Sequence, residues 1–260
     1  MSQTWSPIII DHKEIQKNAK RLNEIVEGRF SVLIIKNFYD VNSCKIIINR
    51  INSIIGKQGN IKKIGVSLVS HINRKADYFL HAENNRKTLQ DIFFGLEDPR
   101  KKIHSLLAEF FPNKEITIAE ENGKKYACGV IRLHELGDSA FIHRDNVRFE
   151  AKNFYVSQFL TQLSTVLYIQ QSEKGGELVL YKKSWRKSDE KFRNIEFGYK
   201  HNVVSNSTKC ARIKPNQGDL IIINPIFYHE ILPVKGKKRR ITLGLFLAFS
   251  NYGKKIVTWS

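Results

Sequence analysis

Three cysteines among 260 residues, Cys44, Cys128 and Cys210, are too few and too scattered for a disulfide framework or a cysteine-based zinc site. They are expected to be reduced in a cytoplasmic protein, with Cys44 on the apolar stripe of a helix and Cys128 inside a strand. Long apolar runs are also missing: the best, at 31–35 and 220–223, fall far short of the ~20 residues a membrane helix needs. The opening Met-Ser-Gln-Thr-Trp-Ser-Pro lacks the basic patch and apolar stretch of a secretory signal, so neither export nor membrane attachment is expected. Acidic residues are scarce, 25 against 43 Lys and Arg, which leaves a formal charge of +18 that concentrates anions near the surface. The basic residues do not interleave with aromatics at any regular spacing, so a nucleic-acid module is not expected. The charge is read as a solvated lysine-rich surface or as suiting an anionic small substrate.

Apolar residues at 42% and aromatics at 11% support a sizeable core. A chain of this length buries roughly 70 to 75% of its unfolded surface. From Asp40, the residues Cys44, Ile47, Ile48, Ile51, Ile54 and Ile55 recur at helical steps, with Asp40 or Asn42 as cap and Gly56 as stop. Asp98-Pro99 opens a second helix carrying Ile103, Leu106, Leu107 and Phe110 on one face; 13–27 reads as a third, and 30–38 as a strand. After about residue 115 the period changes to short β-branched and aromatic segments at 128–133, 139–145, 164–170, 177–181, 211–214, 219–224, 229–234 and 239–249. The pattern predicts a mainly β protein with flanking helices and a sandwich or barrel core, organised as a single domain. Its residues 1–113, mostly helical, are expected to pack on a core formed by 114–260. The charged stretch 182–207 reads as a long loop, either a lid or disordered.

A histidine two residues before a carboxylate occurs at His12, His81 and His143, against roughly one expected by chance from eight histidines and 25 acids, so the pairing alone means little. Context separates the three. In a strand, His143 and Asp145 project from the same face, whereas a helical pair at that spacing diverges. A third ligand must come from elsewhere, and His229, at the start of a later strand, is the candidate. Two histidines and one carboxylate form the facial triad of non-haem iron enzymes, with positions left for cosubstrate and O2. A reversal centred on Val234-Lys235 is expected to bring 229 and 240 to the same height. Arg240, Thr242 and Gly244 then share one face, with Leu243, Leu245 and Leu247 on the other and Arg239 among the leucines. A buried arginine calls for an anion, and the distal carboxylate of 2-oxoglutarate fits its planar fork, with a further hydrogen bond from Thr242.

His143-x-Asp145, His229 and Arg240-x-Thr242 resemble the Fe(II)/2-oxoglutarate-dependent dioxygenases, whose core is a double-stranded β-helix, or jelly roll. Gly175-Gly176-Glu177-Leu178, Gly218-Asp219-Leu220 and the run from Arg240 through Phe249-Ser250 resemble more narrowly the carrier-independent halogenases and their hydroxylase relatives, which act on free small molecules. The likeness covers about residues 128–259. The halogenases carry Gly where this chain has Asp145, and that gap admits halide; with a carboxylate there, the resemblance implies hydroxylation of an unactivated C–H bond. Iron and 2-oxoglutarate with O2 are the cofactor and cosubstrates it implies. The substrate would be a specialised metabolite, a free amino acid or a nucleotide. Two other readings stand beside it: a prolyl-hydroxylase-like enzyme acting on a protein side chain, and a non-catalytic jelly-roll module binding a polyanion.

Several residues are placed around this centre. Phe141 and Phe227, each two residues before a ligand, are expected to line the cavity, with Asn146 at its rim. Tyr168 either reaches the 2-oxoglutarate carboxylate or is a plain core aromatic. His134 is read as a hydrogen-bonded structural histidine, with a pocket role as the alternative. Trp185 opens the charged loop and is a candidate for a substrate lid.

Overall fold

The computed structural model describes residues 5–15, 18, 21–59, 61–195, 198–249 and 253–260. Two β-sheets face each other as an open jelly roll. The large one runs in the order Ile8–Asp11, Leu33–Lys36, Leu220–Ile223, Gln162–Gln170, Arg240–Phe249, Lys255–Trp259, Glu115–Ile118. Val130–His134 pairs with the first half of Arg240–Phe249 and, on its other side, with Lys63–Ile64. The small sheet is antiparallel, in the order Cys210–Ile213, Leu178–Ser184, Phe227–Ile231, Ala140–His143. Alternation along each strand divides the side chains between two cores. Ile34, Tyr168 and Ile221 of the large sheet meet Leu178, Leu180 and Ile213 of the small one between the sheets. On the outer face, Leu243, Leu245 and Leu247 pack with Cys44, Ile47, Ile51, Ile103 and Leu106 of the helices.

The helices form where caps and apolar periodicity coincide. Asp40 caps Val41–Gln58 by accepting from the Ser43 amide at 2.7 Å. This helix passes through Gly56, the expected stop, and ends at Gly59, whose φ of 82° lies in the left-handed region that glycine adopts freely. Asp98 and Pro99 open Pro99–Phe110 as expected. Of the helix expected at 13–27, a 3-10 turn His12–Glu14 and the short helix Arg21–Val26 are seen, and residues 16, 17, 19 and 20 lie outside the described residues. The 19-residue helix Lys75–Phe93, which holds His81, is an addition; its apolar stripe is too diluted by polar residues to announce itself.

All eight expected strand segments are strands in part, and the departures are informative. Cys128 lies just before Val130–His134 rather than inside it. Val234 and Lys235 are not a turn: they form a short strand against Lys174 and Gly175. Phe227–Ile231 and Arg240–Phe249 therefore belong to opposite sheets, and His229 and Arg240 approach across the sandwich instead of along a hairpin. The stretch 182–207, expected to be a long loop, carries the 3-10 turns Lys187–Phe192 and His201–Val203, tied down where Asp189 binds Lys183 at 2.7 Å and accepts from Tyr228 Oη at 3.2 Å. No described helix is long and apolar enough to cross a membrane.

Asp219 joins the pieces that position the interior face. Its carboxylate, 2% exposed, binds the Lys36 ammonium and accepts from the backbone amides of Asn37 at 3.2 Å and Asn216 at 2.7 Å. Its carbonyl accepts from the Tyr168 amide at 3.0 Å. Removing a buried carboxylate that holds two backbone amides and a part-exposed ammonium costs about 1–3 kcal/mol. Asp219→Ala is expected to lose that much, read as a lower denaturant midpoint with an unchanged slope; an unmoved midpoint would contradict the anchoring role.

Candidate metal centre

The centre is built on one antiparallel ladder of the small sheet, in which His143 stands directly opposite His229. Side chains opposite each other in a ladder point to the same side, and the two imidazole centroids lie 4.2 Å apart. Asp145 follows just past the strand end, its amide donating to the Pro225 carbonyl at 2.8 Å. The ligand atoms of His143, Asp145 and His229 lie within 4.8 Å of one another, and Asp145 Oδ2 is 3.4 Å from His229 Nε2.

Each histidine is oriented by its own strand. His143 Nδ1 is 2.6 Å from the Phe141 carbonyl and His229 Nδ1 is 2.9 Å from the Phe227 carbonyl. A carbonyl only accepts, so Nδ1 is the donor to it in both rings, and Nε2 is the atom each ring turns toward Asp145 and the common point. Such hydrogen bonds to the second ring nitrogen fix tautomer and orientation at metal sites. Burial brings the His143 pKa down to about 4, with the neighbouring His229 adding to the effect. Burial pushes Asp145 up, but the His229 hydrogen bond and the charges of both imidazoles outweigh it and hold the carboxyl at about 2. Burial pulls His229 down, and the same carboxylate more than reverses this. Two nitrogen donors and one anionic oxygen on one side of a common point suit a divalent first-row ion such as Fe(II).

Across the sandwich, Arg240 is 3% exposed. Its guanidinium donates to Tyr168 Oη at 3.0 Å, lies 3.4 Å from Thr242 Oγ1 and sits 4.9 Å from the Tyr168 ring centroid. Its Nε is buried without a partner, and no carboxylate among the described residues pairs with it. The close approach is permitted by Gly176, whose φ is +67° and where a Cβ would lie 3.3 Å from Arg240 Cδ and 2.6 Å from Ser172 Oγ. Arg239 is excluded from this face: it pairs with Glu135 at 3.5 Å.

The remaining expected residues divide. Tyr168 and Thr242 are fully or nearly fully buried beside Arg240. Phe227 faces the space between the sheets and meets the Trp5 ring edge-on at 5.1 Å. Phe141 does not line the cavity. Between His143 opposite His229 and Ala140 opposite Ile231 the ladder slips by one residue, and this bulge leaves the Phe141 ring 58% exposed. Asn146 caps the short helix Val147–Glu150, accepting from the Arg148 amide at 3.2 Å. His134, opposite Arg240 in the ladder, is not hydrogen-bonded at its buried Nδ1, so the structural role expected for it is not what is found. Trp185 packs near Phe149 and above Arg144, with its indole donating to Glu190.

Two residues were missed. A narrow cavity of about 30 Å³ beside Asp145 is bordered by Arg132, Glu150, Gln162, Phe246 and Trp259. Arg132 stands opposite Thr242, its guanidinium over Gly244, where a Cβ would come within 2.8 Å, and it forms no ion pair among the described residues. The visible signal is a lone arginine between isoleucine and leucine in a strand. Burial raises the Glu150 carboxyl to about 8, the Asp145 charge adding and Arg144, 3.5 Å away, opposing.

Residues 5–260 match the family described as carrier-protein-independent halogenase WelO5. Leucinostatins biosynthesis cluster protein S of Purpureocillium lilacinum is 26% identical over 211 residues, covering 76% of this chain and 84% of that protein. Among solved structures, an N-substituted L-amino acid dioxygenase of Burkholderia ambifaria superposes with a TM-score of 0.63 at 17% identity, covering 93% of this chain and 91% of that one. The nogalamycin biosynthesis epimerase SnoN, dependent on non-haem iron and α-ketoglutarate, superposes with a TM-score of 0.52 at 9% identity, over 90% of this chain and 82% of that one. With a match that runs almost the whole length of the sequence over a jelly roll bearing this triad, the chain belongs to the carrier-protein-independent halogenase family and is an Fe(II)/2-oxoglutarate-dependent oxygenase.

Proposed function

We propose that this protein is a hydroxylase that inserts one oxygen atom into an unactivated C–H bond of a free, anionic small molecule: a specialised metabolite, an amino acid or a nucleotide. The observation that carries hydroxylation over halogenation is the Asp145 carboxylate, ionised and 3.4 Å from His229 Nε2. It takes the third protein-ligand place, which leaves no gap there for halide. His143, Asp145 and His229 are assigned to the metal, and Arg240 to the distal carboxylate of 2-oxoglutarate, steadied by Tyr168 and Thr242. Residues 1–113 and 114–260 act in this reading as one catalytic domain, in the cytoplasm, where the three cysteines stay reduced.

Bound iron and 2-oxoglutarate supply the oxidising chemistry, the keto acid and O2 yielding succinate and CO2 as one oxygen atom passes to the substrate. The chain's own work is positional. The Phe141 and Phe227 carbonyls hold both Nε2 atoms toward one point. The apolar wall formed by Phe246, Trp259, Val147 and Ala151 keeps water from the reacting carbon. Arg132 provides a second guanidinium on that wall, which supports an anionic substrate, as does the net charge of +18. The relatives' links to leucinostatin formation and to amino-acid oxidation favour a metabolite over a protein side chain.

Four outcomes are expected. Anaerobic addition of Fe(II) and 2-oxoglutarate to the metal-free protein should give a visible charge-transfer band, absent in His143→Ala and His229→Ala; a band surviving in both variants would remove the triad from consideration. Arg240→Ala should raise the 2-oxoglutarate concentration needed for half-maximal development of that band by about 10- to 100-fold, the worth of a charge-assisted bidentate pair. A succinate-release screen over amino acids, nucleotides and alkaloid precursors, with mass analysis of products, should find a substrate that gains one oxygen atom. Asp145→Gly should lose that reaction and, with chloride present, gain some chlorination. Chlorination by the unaltered protein would overturn the hydroxylase reading.

A further inference from the structure

We propose that a second cavity, on the face of the large sheet opposite the metal centre, binds a free small amphipathic acid: an apolar body with one carboxylate, sulfonate or phosphate head. The cavity, of about 580 Å³, lies between helices Lys75–Phe93 and Pro99–Phe110 and strand Glu115–Ile118, and its volume is in the range of about 300–1,000 Å³ usual for small-molecule sites. Strand Lys255–Trp259 separates it from the metal side. Trp259 borders the cavity beside Asp145, whereas its neighbour Thr258 points the other way and bonds His104, which lines the second cavity. The two spaces are therefore on opposite faces of one sheet.

The lining sorts by chemistry. Val66, Leu89, Phe93, Ile116, Ile118 and Tyr126 form an apolar wall. Four cations, Arg86, Arg100, Lys101 and Lys125, face a single acid, Asp98. Asp98 is already committed: it caps its helix through the Arg100 amide at 2.9 Å and holds the Arg100 guanidinium with both oxygens, the shortest contact being 2.6 Å. Arg86, Lys101 and Lys125 form no ion pair among the described residues. Three uncompensated positive charges around an apolar hollow favour a ligand with the opposite charge and an apolar body.

One end of the hollow is polar. Thr258 Oγ1 lies 2.9 Å from His104 Nε2, 3.2 Å from the Thr117 carbonyl and 3.7 Å from Cys128 Sγ, so the imidazole is held by a hydrogen bond at this end of the hollow, and burial lowers its pKa.

The site is independent of the metal centre, and its test is a binding measurement on the full-length protein. The probe is 8-anilinonaphthalene-1-sulfonate, an aromatic body with one anionic head, followed by fluorescence titration. One probe is expected per chain, with affinity that falls as salt rises. Arg86→Glu combined with Lys101→Glu, both surface changes, should weaken it by at least about tenfold, as should Asn85→Trp, which blocks the hollow without altering charge. Decanoate should displace the probe and decanol should not. Arg240→Ala and saturating 2-oxoglutarate with Fe(II) should leave binding unchanged. Equal binding by both cavity variants, equal displacement by decanol, or displacement by 2-oxoglutarate would each overturn the proposal. So would sedimentation with phosphatidylglycerol vesicles that decanoate does not compete, since the cations would then serve a membrane surface.

Discussion

The opposition of His143 and His229 across one antiparallel ladder is the constraint on which the rest of the centre depends. Nearest neighbours in such a ladder are held by backbone hydrogen bonds at a spacing no side chain can adjust. Two rings placed this way come together only if the register is right, and a slip of one residue would send one of them to the opposite face. The bulge one step further along, between His143 and Ala140, has a use in this light. It absorbs an extra residue without disturbing the histidine pair, and on the other side of that pair Asp145 lies 3.4 Å from His229. What the bulge displaces is Phe141, whose ring is turned outward while its carbonyl still orients His143.

The second half of the centre depends on the first only through the sandwich. Arg240 is in the large sheet and His229 in the small one, so their relation is set by the core packed between them and not by a turn. Asp219 holds the Tyr168 strand to the edge where Lys36 and Asn37 sit, and Tyr168 in turn carries the Arg240 guanidinium. Gly176 gives Arg240 room to lie flat there. A change anywhere along that chain of contacts moves the Arg240 guanidinium relative to His143, Asp145 and His229.

Alternation made much of this legible in the sequence. Arg240 and Thr242 on one face with the leucines on the other required only a period of two, and a long strand keeps that period. The helix from Asp40 was readable because cap and stripe agree; its end was not, since Gly56 costs only about 1 kcal/mol inside a helix and Gly59 offered the better left-handed cap. The outward turn of Phe141 follows from a bulge that no periodicity encodes. The path from His229 to Arg240 looked like a hairpin because both flanks are strands; which sheet a strand joins is decided by distant partners, here Lys174 and Gly175 pairing with Val234 and Lys235. Arg132 was within reach of the same alternation that found Arg240, had the charged residue inside 128–133 been given weight.

The distribution of charge around the centre carries the last step. Arg132 and Arg240 share one face of the large sheet, and their combined charge, after burial, is what drives His134 to a pKa of about 4. Asp145 is the one acid in the triad, and its charge is directed to His229 first. Guanidinium groups gathered in a low-dielectric space repel one another and lose hydration, so the fold bears an electrostatic cost that the Asp145 charge near Arg132 offsets only in part. That cost is offset when anionic groups enter, and by linkage the same anions stabilise the folded chain. A keto acid against Arg240 and a second anion against Arg132 would meet the two charges separately. The centre would then favour a substrate with its own negative group over a neutral molecule of the same shape.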